Sequence, residues 1–319
     1  MAVKDRYAPN SYLGTCIKVR PAISAMLLVV SLLTLSGCGG GRETARQTVF
    51  VSVAPQASIV RSIGDDLVQV EILVASGQSP ATYDPTPQQM ARLTRAKVYF
   101  RVGVPFEAAF IDNLSAQQSE LRIVDTRENV PLRYMESHAH GSEDDHEHHD
   151  HAGQPDPHIW LDPALVKIQA ETVCRSLSEL DPKHAASFRA NLGRYHAQLD
   201  SLDALLRKLL APVAGRRMYV FHPSYGYFAE RYGLVQTAIE TEGKEPSARG
   251  LAGLIEQARA DSVQVLFVQP QFSRKTAQAI AQALGCDIVP LDPLAENLIT
   301  NLPEIAREVA RALMVEPVE

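Results

Sequence analysis

Short apolar runs alternate with segments of helical periodicity along the chain from Thr48 onward. The predicted helices lie near 59–63, 87–96, 106–117, 225–231, 248–260, 274–284 and 303–313. The predicted strands are 48–54, 68–75, 97–102 and 122–125 in the first half, and 218–221, 234–239, 265–268 and 287–291 in the second. Strands that alternate with helices form parallel sheets covered by those helices. We therefore expect an α/β fold of two lobes, each a roughly four-stranded parallel sheet wrapped by helices.

One long helical period separates the two sets of strands. Pro182 marks its start, and Pro212 with Gly215 marks its end. At about 1.5 Å per residue, about 28 residues span about 40 Å, which is enough to join both lobes. We expect a single rigid linking helix that limits lobe movement more than extended hinge strands would. Its apolar stripe, spaced alternately by four and three positions, is Phe188, Leu192, Tyr195, Leu199, Leu202, Leu206 and Leu209.

The segment before the predicted fold has the features of a targeting sequence. Basic residues precede an apolar run from Ala22 to Leu35, about 14 residues, where a membrane span needs about 20. The run ends in Leu35-Ser36-Gly37-Cys38, which resembles a bacterial lipobox. We predict a lipoprotein signal peptide over 1–37, lipid attachment at Cys38 and a flexible tether over 38–47. The alternative is an ordinary cleaved signal peptide with an incidental cysteine.

A segment rich in histidine and acidic residues, 136–153, interrupts the first predicted lobe. It has no apolar anchors, so we expect it to be disordered without metal. Its histidines are candidate metal ligands for capture or sensing, and the alternative is a solvated linker. These histidines are His138, His140, His146, His148, His149 and His151. We place the first lobe at 48–182, the linking helix at 183–211 and the second lobe at 212–319.

Charge and cysteine usage exclude several classes of function. The net charge of −6 and the pI near 5.9 give no support for nucleic-acid binding, which calls for a basic face. The four cysteines form no CxxC pair, so neither a thiolate zinc site nor a thioredoxin-type motif is indicated. Cys174 and Cys286 fall in different predicted lobes, and we expect them to be unpaired.

Polar residues with metal-binding side chains follow the predicted strands. His222 and Asp292 each come directly after a strand, and His158 precedes a helix. Ligands in open α/β folds bind beyond the carboxyl ends of strands, and two histidines with one aspartate supply three of the four positions that zinc prefers. Each residue alone also has a purely structural explanation: a strand-end histidine held by a backbone hydrogen bond, or an aspartate that caps a turn.

The strings around these residues resemble one family in combination. They are DPHIWLDP at 156–163, RYGL at 231–234, VQPQF at 268–272 and LDPL at 291–294. The sequence resembles the metal-binding receptors of bacterial zinc and manganese ABC importers, the ZnuA/TroA-like lipoproteins. The resemblance implies that His158, His222 and Asp292 are the second, third and fourth metal ligands. It implies Zn²⁺ as the transported ligand in preference to Mn²⁺, an importer permease and the membrane as partners, and a monomer.

The first ligand position departs from the family pattern. The family reads Pro-His-x-Tyr-Glu-Pro, and residues 80–85 of this chain read Pro-Ala-Thr-Tyr-Asp-Pro. Ala81 cannot ligate a metal, so we hypothesise that a histidine of the 136–153 segment, or water, takes its place, with Glu242 as a weaker substitute. We expect Tyr83 and Trp160 to line the site.

Three other classes of function are compatible with these residues. Two histidines, an aspartate and an open position also describe a catalytic zinc site. No HExxH or GxSxG motif accompanies them, so we do not expect an enzyme such as a zinc hydrolase. A surface adhesin or a periplasmic metal chaperone would carry the same residues. We expect a cell-envelope protein, lipid-anchored outside the cytoplasmic membrane or in the periplasm.

Overall fold

Two parallel sheets with the same strand order form the framework of the molecule. The computed structural model describes residues 46–116, 120–135, 154–240 and 248–314. The predicted signal peptide, Cys38, the histidine-rich segment 136–153 and Glu242 lie outside these residues. Within the described residues, the chain from Arg46 onward belongs to one compact unit.

The first sheet has the strand order β2-β1-β3-β4, with every pair parallel. Val49, Phe50, Val51 and Val53 of β1 are buried as a continuous run, which is typical of a parallel strand covered on both faces. The elements of this half are β1 Gln47–Val53, α1 Ala54–Gly64, β2 Val68–Val74, α2 Pro87–Leu93, β3 Val98–Arg101, α3 Pro105–Ala116, β4 Arg122–Asp125 and α4 Pro163–Leu180.

The second sheet repeats this order as β6-β5-β7-β8, again with every pair parallel. Its elements, after the linking helix α5 Ala185–Leu210, are β5 Arg217–Val220, α6 Gly226–Tyr232, β6 Val235–Ala238, α7 Ala248–Ala260, β7 Val265–Val268, α8 Arg274–Leu284, β8 Asp287–Pro290 and α9 Leu298–Leu313. The prediction of two four-stranded parallel sheets wrapped by helices is confirmed.

Helix α5 is continuous over 26 residues and packs against α1, α4, α6 and α9. It therefore contacts helices that flank both sheets, as predicted for a linking helix. Its buried stripe keeps the central predicted residues and differs at the ends. Leu192 and Leu209 are only partly buried, and their neighbours Asn191 and Leu210 are buried instead. Asn191 is accepted in the interior because its Nδ2 donates a 2.8 Å hydrogen bond to the Ile63 carbonyl.

The last helix begins earlier than the sequence pattern predicts. The sequence pattern predicts a helix over 303–313, but α9 starts at Leu298 after the N-cap Asn297. The Asn297 side chain accepts a 3.3 Å hydrogen bond from the Thr300 N–H group, and Pro303 lies inside the helix. A side-chain cap therefore sets this helix start.

Two further sequence expectations concern cysteines and membrane spans. Cys174 and Cys286 are free thiols, as expected. Every helix in the described part of the chain is too short or too polar to span a lipid bilayer.

Candidate metal centre

A cleft of about 90 Å³ lies where the strands of both sheets end. Gly103 follows β3, His222 follows β5 and Gln269 follows β7, and all three line the cleft together with His158. In both sheets the strand order reverses between the first and third strands, and such switch points are where open α/β sheets form ligand crevices. The topology thus brings together residues that are distant in sequence.

His158 and His222 face each other across this cleft. Their ring centroids are 5.3 Å apart, with an interplanar angle of 72°. A tetrahedral zinc ion with Zn–N bonds of about 2.0–2.1 Å holds two imidazole rings with their centres about 5 Å apart. The separation of the two rings therefore suits a shared zinc ion without a large rearrangement.

The turn before α4 sets the orientation of His158. Asp156 Oδ1 accepts a 3.0 Å hydrogen bond from the His158 N–H group and lies 2.7 Å from Nδ1 of the same residue. Burial lowers the pKa of His158, and the nearby Asp156 charge only partly offsets this effect. The imidazole is accordingly neutral at neutral pH, which is the form that binds a metal.

His222 is held by groups from the neighbouring strands. Its Nδ1 lies 2.5 Å from Glu240 Oε1, just beyond β6. Its backbone N–H donates to Gln269 Oε1 at 3.2 Å, and Gln269 Nε2 donates to its carbonyl at 2.7 Å. Backbone and ring are therefore both fixed, and the Phe272 ring packs at 5.3 Å from the imidazole.

Asp292 lies directly behind two residues of the cleft wall. Its Oδ1 accepts hydrogen bonds from Gln271 Nε2 at 2.8 Å and from the Leu294 N–H group at 2.9 Å. The Asp292 charge also adds to the effect of burial in raising the pKa of Tyr225 well above its usual value. Across the described ranges, no group of three or more His, Cys, Asp or Glu side chains has a geometry that could hold a metal ion. Asp292 is thus engaged with Gln271, and the structure does not group it with the two histidines as metal ligands.

Ala81 lines the cleft beside Ser79 and Pro80. The position where the resemblance places a first histidine therefore faces the same space as His158 and His222, and it carries only a methyl group. The Tyr83 ring packs edge-on against Phe106, with centroids 4.9 Å apart.

The two ends of the histidine-rich segment also meet at the cleft. Met135 and Gln154, the last and first described residues around it, both line the cleft. The Met135 N–H group donates to the Gln154 carbonyl at 3.0 Å, next to an antiparallel bridge between Tyr134 and Pro155.

Trp160 lies between the turn of His158 and the turn of Asp292 and contacts both. It is completely buried, its ring lies edge-on to His158 with centroids 5.3 Å apart, and its Nε1 donates to the Pro293 carbonyl at 2.7 Å. Asp292 is the residue before Pro293. One side chain therefore links the turn of His158 to the turn of Asp292.

A network of ion pairs joins the turn that contains His158 to helices α5 and α6. Asp162 caps α4 and lies 2.9 Å from Arg231 Nε on α6. Arg231 also binds both carboxylate oxygens of Asp203 on α5, at 2.8 and 2.9 Å. This bidentate geometry is rigid, and it ties three helices together behind the cleft.

Close packing at Gly226 supports the Asp156 side of the site. A Cβ atom there would overlap the Arg133 guanidinium and lie 3.0 Å from Asp156 Oδ2. We expect Gly226→Ala to displace Arg133 and to destabilise the fold by about 1 kcal/mol, the low end of overpacking costs, because a side chain can shift. Thermal unfolding measures this change.

Gly193, an exposed glycine inside α5 with open space around it, is the matched control. Gly193→Ala should stabilise the protein by up to about 1 kcal/mol through helix propensity. Equal effects of the two substitutions would contradict the packing described for Gly226.

The residues that orient the ligands were not predicted. Asp156 and Gln271 belong to the motifs DPHIWLDP and VQPQF, and Glu240 directly follows the predicted strand 234–239, but none of them is assigned a role from the sequence alone. The detectable signal was positional: Glu240 follows β6 at the distance at which His222 follows β5. This position identifies Glu240 as a partner of His222 only once β5 and β6 are known to be neighbours.

Two parallel sheets joined by one long helix, with two histidines that meet in the cleft beyond the strand ends, define a substrate-binding protein of the kind that captures a metal ion. The family model described as ZnuA, zinc-uptake complex component A, periplasmic, matches residues 49–313. The chain belongs to this family. This confirms the prediction of a periplasmic receptor that captures zinc for an ABC importer, and it identifies a binding protein and not an enzyme.

Individual relatives agree with the family. The chain is 30% identical to the high-affinity zinc uptake system protein ZnuA of Yersinia pestis, over 81% of this chain and 86% of that protein. A crystal structure of a ZnuA deletion mutant with zinc bound is 38% identical, with a TM-score of 0.77, over 85% of this chain and 100% of that chain. The protein FpvC of Pseudomonas aeruginosa, in complex with Mn²⁺, is 25% identical with a TM-score of 0.70, over 84% and 98%.

Proposed function

We propose that this receptor binds zinc between His158 and His222, with Asp292 as a third ligand, and delivers it to an importer permease. The observation that carries the proposal is the 5.3 Å separation of two imidazole rings whose Nδ1 atoms are both engaged by acids. The Nε2 atoms are the ring nitrogens left for a metal, and imidazole nitrogen is a preferred zinc ligand.

Asp292 joins the site by exchanging partners. Its Oδ1 is engaged by Gln271 and Leu294, so a metal is bound through Oδ2 or after Gln271 turns away. The exchange replaces an amide–carboxylate hydrogen bond with a bond to a divalent cation. In the second case zinc entry is coupled to a movement of the Gln271 side chain.

The fourth ligand comes from the histidine-rich segment 136–153. Ala81 offers no donor atom, and both ends of the segment, Met135 and Gln154, line the cleft. A histidine a few residues from either end is within reach, because an extended chain covers about 3.3–3.6 Å per residue. Its candidates are the six histidines named above, and water is the alternative donor.

Removing the segment tests this assignment. Because Met135 and Gln154 are hydrogen-bonded neighbours, residues 136–153 can be replaced by an Asn-Gly turn, which suits a two-residue antiparallel connection. We expect competitive titration to show that the intact chain prefers zinc to manganese, and that the shortened chain binds zinc about 10- to 100-fold more weakly. X-ray absorption should show one imidazole fewer per zinc ion.

A second variant, with all six histidines of the segment changed to serine at unchanged length, separates ligation from chain length. It should match the deletion. Unchanged zinc affinity and coordination in both variants would mean that water completes the site. Weak binding of both metals by the intact chain would contradict the proposed site as a whole.

The N-terminal pattern supports a lipid-anchored location for the receptor. Residues 1–37 act as a signal peptide, Cys38 carries lipid, and 38–47 is a tether to the lobes at 48–182 and 212–319, joined by the helix at 183–211. The protein acts as a lipid-anchored monomer outside the cytoplasmic membrane, and its partner is the importer permease. Labelling with a radioactive fatty acid, lost in Cys38→Ala, tests the anchor.

A further inference from the structure

Each histidine of the cleft is backed by a buried acid from its own half of the molecule. The side chain of Asp156 is 2% exposed and lies 2.7 Å from His158 Nδ1. The side chain of Glu240 is 3% exposed and lies 2.5 Å from His222 Nδ1. Buried carboxylates are costly unless they are paired, so both contacts serve a purpose beyond filling space.

Strand register brings Glu240 to His222. Val220 of β5 pairs with Ala238 of β6, and the alignment continues beyond the strands, where the Glu240 N–H group donates to the Phe221 carbonyl at 3.0 Å. Residues 222 and 240 are therefore neighbours by the backbone itself. The carboxylate has little freedom to move away from the ring.

Asp156 reaches His158 by a different route. Its Oδ1 contacts both the backbone N–H group and Nδ1 of His158, which is the geometry of a tight turn. Its Oδ2 lies 3.7 Å from Arg133 Nη1, and its own N–H group donates to the Arg133 carbonyl at 2.9 Å. Ring and backbone of His158 are thus oriented by a single oxygen.

We infer that Asp156 and Glu240 are positioning residues that hold His158 and His222 in the Nδ1–H tautomer and direct both Nε2 atoms to the metal. An ionised carboxylate only accepts hydrogen bonds, so the ring nitrogen that it contacts must carry the proton. Each acid contacts Nδ1 and acts on the metal through a histidine. This inference rests on the proposed function.

The expected size of the effect comes from comparable sites. Partners that orient a metal-binding histidine typically change metal affinity 10- to 100-fold when removed. We expect Glu240→Ala and Asp156→Ala each to weaken zinc binding by about that factor. Glu240→Gln, whose amide oxygen still accepts from Nδ1–H, should retain most of the affinity. Asp156→Asn should do the same.

The decisive readout is the tautomer in the metal-free protein. Long-range ¹H–¹⁵N spectra of histidine, assigned with His158→Ala and His222→Ala, should show the Nδ1–H form for both rings. In Glu240→Ala the His222 signals should move towards the Nε2–H form or an average. A merely structural role would leave these signals unchanged.

Asp261 provides a matched control. It is a partly buried acid at the opposite end of the second sheet, where its Oδ2 accepts a 2.5 Å hydrogen bond from the Tyr219 hydroxyl. Asp261→Asn removes an acid–ring contact in the same half and should leave zinc affinity and histidine tautomers unchanged.

The failure of this inference can be distinguished from the failure of the proposed metal site. Unchanged zinc affinity and tautomers in Glu240→Ala and Asp156→Ala would overturn the inference if His222→Ala still abolishes tight binding. Unchanged affinity in His222→Ala would instead overturn the proposed site. Should an alanine variant fail to fold, equal zinc affinity and tautomers in Glu240→Gln and Glu240→Leu, two side chains of similar size, would overturn the inference independently.

Discussion

His222→Ala will lower the zinc affinity of this receptor by about 100- to 1000-fold. Zinc sites with four protein ligands bind with about 10–16 kcal/mol, so each ligand contributes on the order of 2.5–4 kcal/mol, which corresponds to that factor. His222 comes from the second half and His158 from the first, so in the proposed site its loss would also remove the link that the metal makes between the two halves. Competition against a chromophoric chelator measures the change in dissociation constant.

His196→Ala is the control for this substitution. His196 is about as buried as His222, with 25% of its side chain exposed against 18%, but it lies on α5 at 4.0 Å from Glu171. We expect its removal to leave zinc affinity within about twofold, since it has no part in the cleft. A similar loss of affinity in both variants would indicate a general effect on folding and would contradict the assigned ligand.

The second large effect concerns stability. Glu107→Ala should reduce the free energy of unfolding by about 3–5 kcal/mol, the range for breaking a buried charged network. The Glu107 side chain is 1% exposed and accepts hydrogen bonds from the Ser52 hydroxyl at 2.5 Å, the Val102 N–H group at 2.9 Å and the Gly103 N–H group at 2.7 Å. Its removal leaves the buried Val102 N–H group without this acceptor and takes one partner from the Ser52 hydroxyl and the Gly103 N–H group. A buried donor left unsatisfied costs about 1–3 kcal/mol.

Glu107 also shapes the site, because Gly103 lines the cleft. Glu107→Gln should be destabilising as well, since an amide places a donor against one of the groups that now donate to Glu107. Urea denaturation followed by circular dichroism measures both variants. Glu120→Ala, which removes a glutamate with 88% side-chain exposure that pairs with Lys97 at 3.0 Å, should change stability by less than about 1 kcal/mol. A cost for Glu107→Ala no larger than that would refute the network.

The second half illustrates what a single sequence conveys about the site. His222 and Asp292 could be chosen because they follow apolar strands, and ligands collect beyond strand ends. Glu240 also follows a strand, but its role depends on β6 lying beside β5, which local pattern does not reveal. Asp156 lies in the same motif as His158. The sequence does not show the turn geometry that brings its carboxylate to the imidazole.

The sequence by itself determined the strands, the linking helix and the fold class. Short apolar runs predict the eight parallel strands, and the long apolar stripe predicts helix α5. Each pattern brings its apolar side chains together for burial in only one type of element. The residue types at strand ends specify a metal-binding chemistry, because imidazole and carboxylate are zinc ligands.

Only the tertiary structure decided how these groups meet. It set His158 at 5.3 Å from His222, engaged Asp292 with Gln271, and placed Ala81 together with both ends of the histidine-rich segment in one cleft. These relations join residues up to 73 positions apart, and they arise from strand order and helix packing. Local sequence reveals neither strand order nor helix packing, because both depend on which apolar faces pack together in the whole chain.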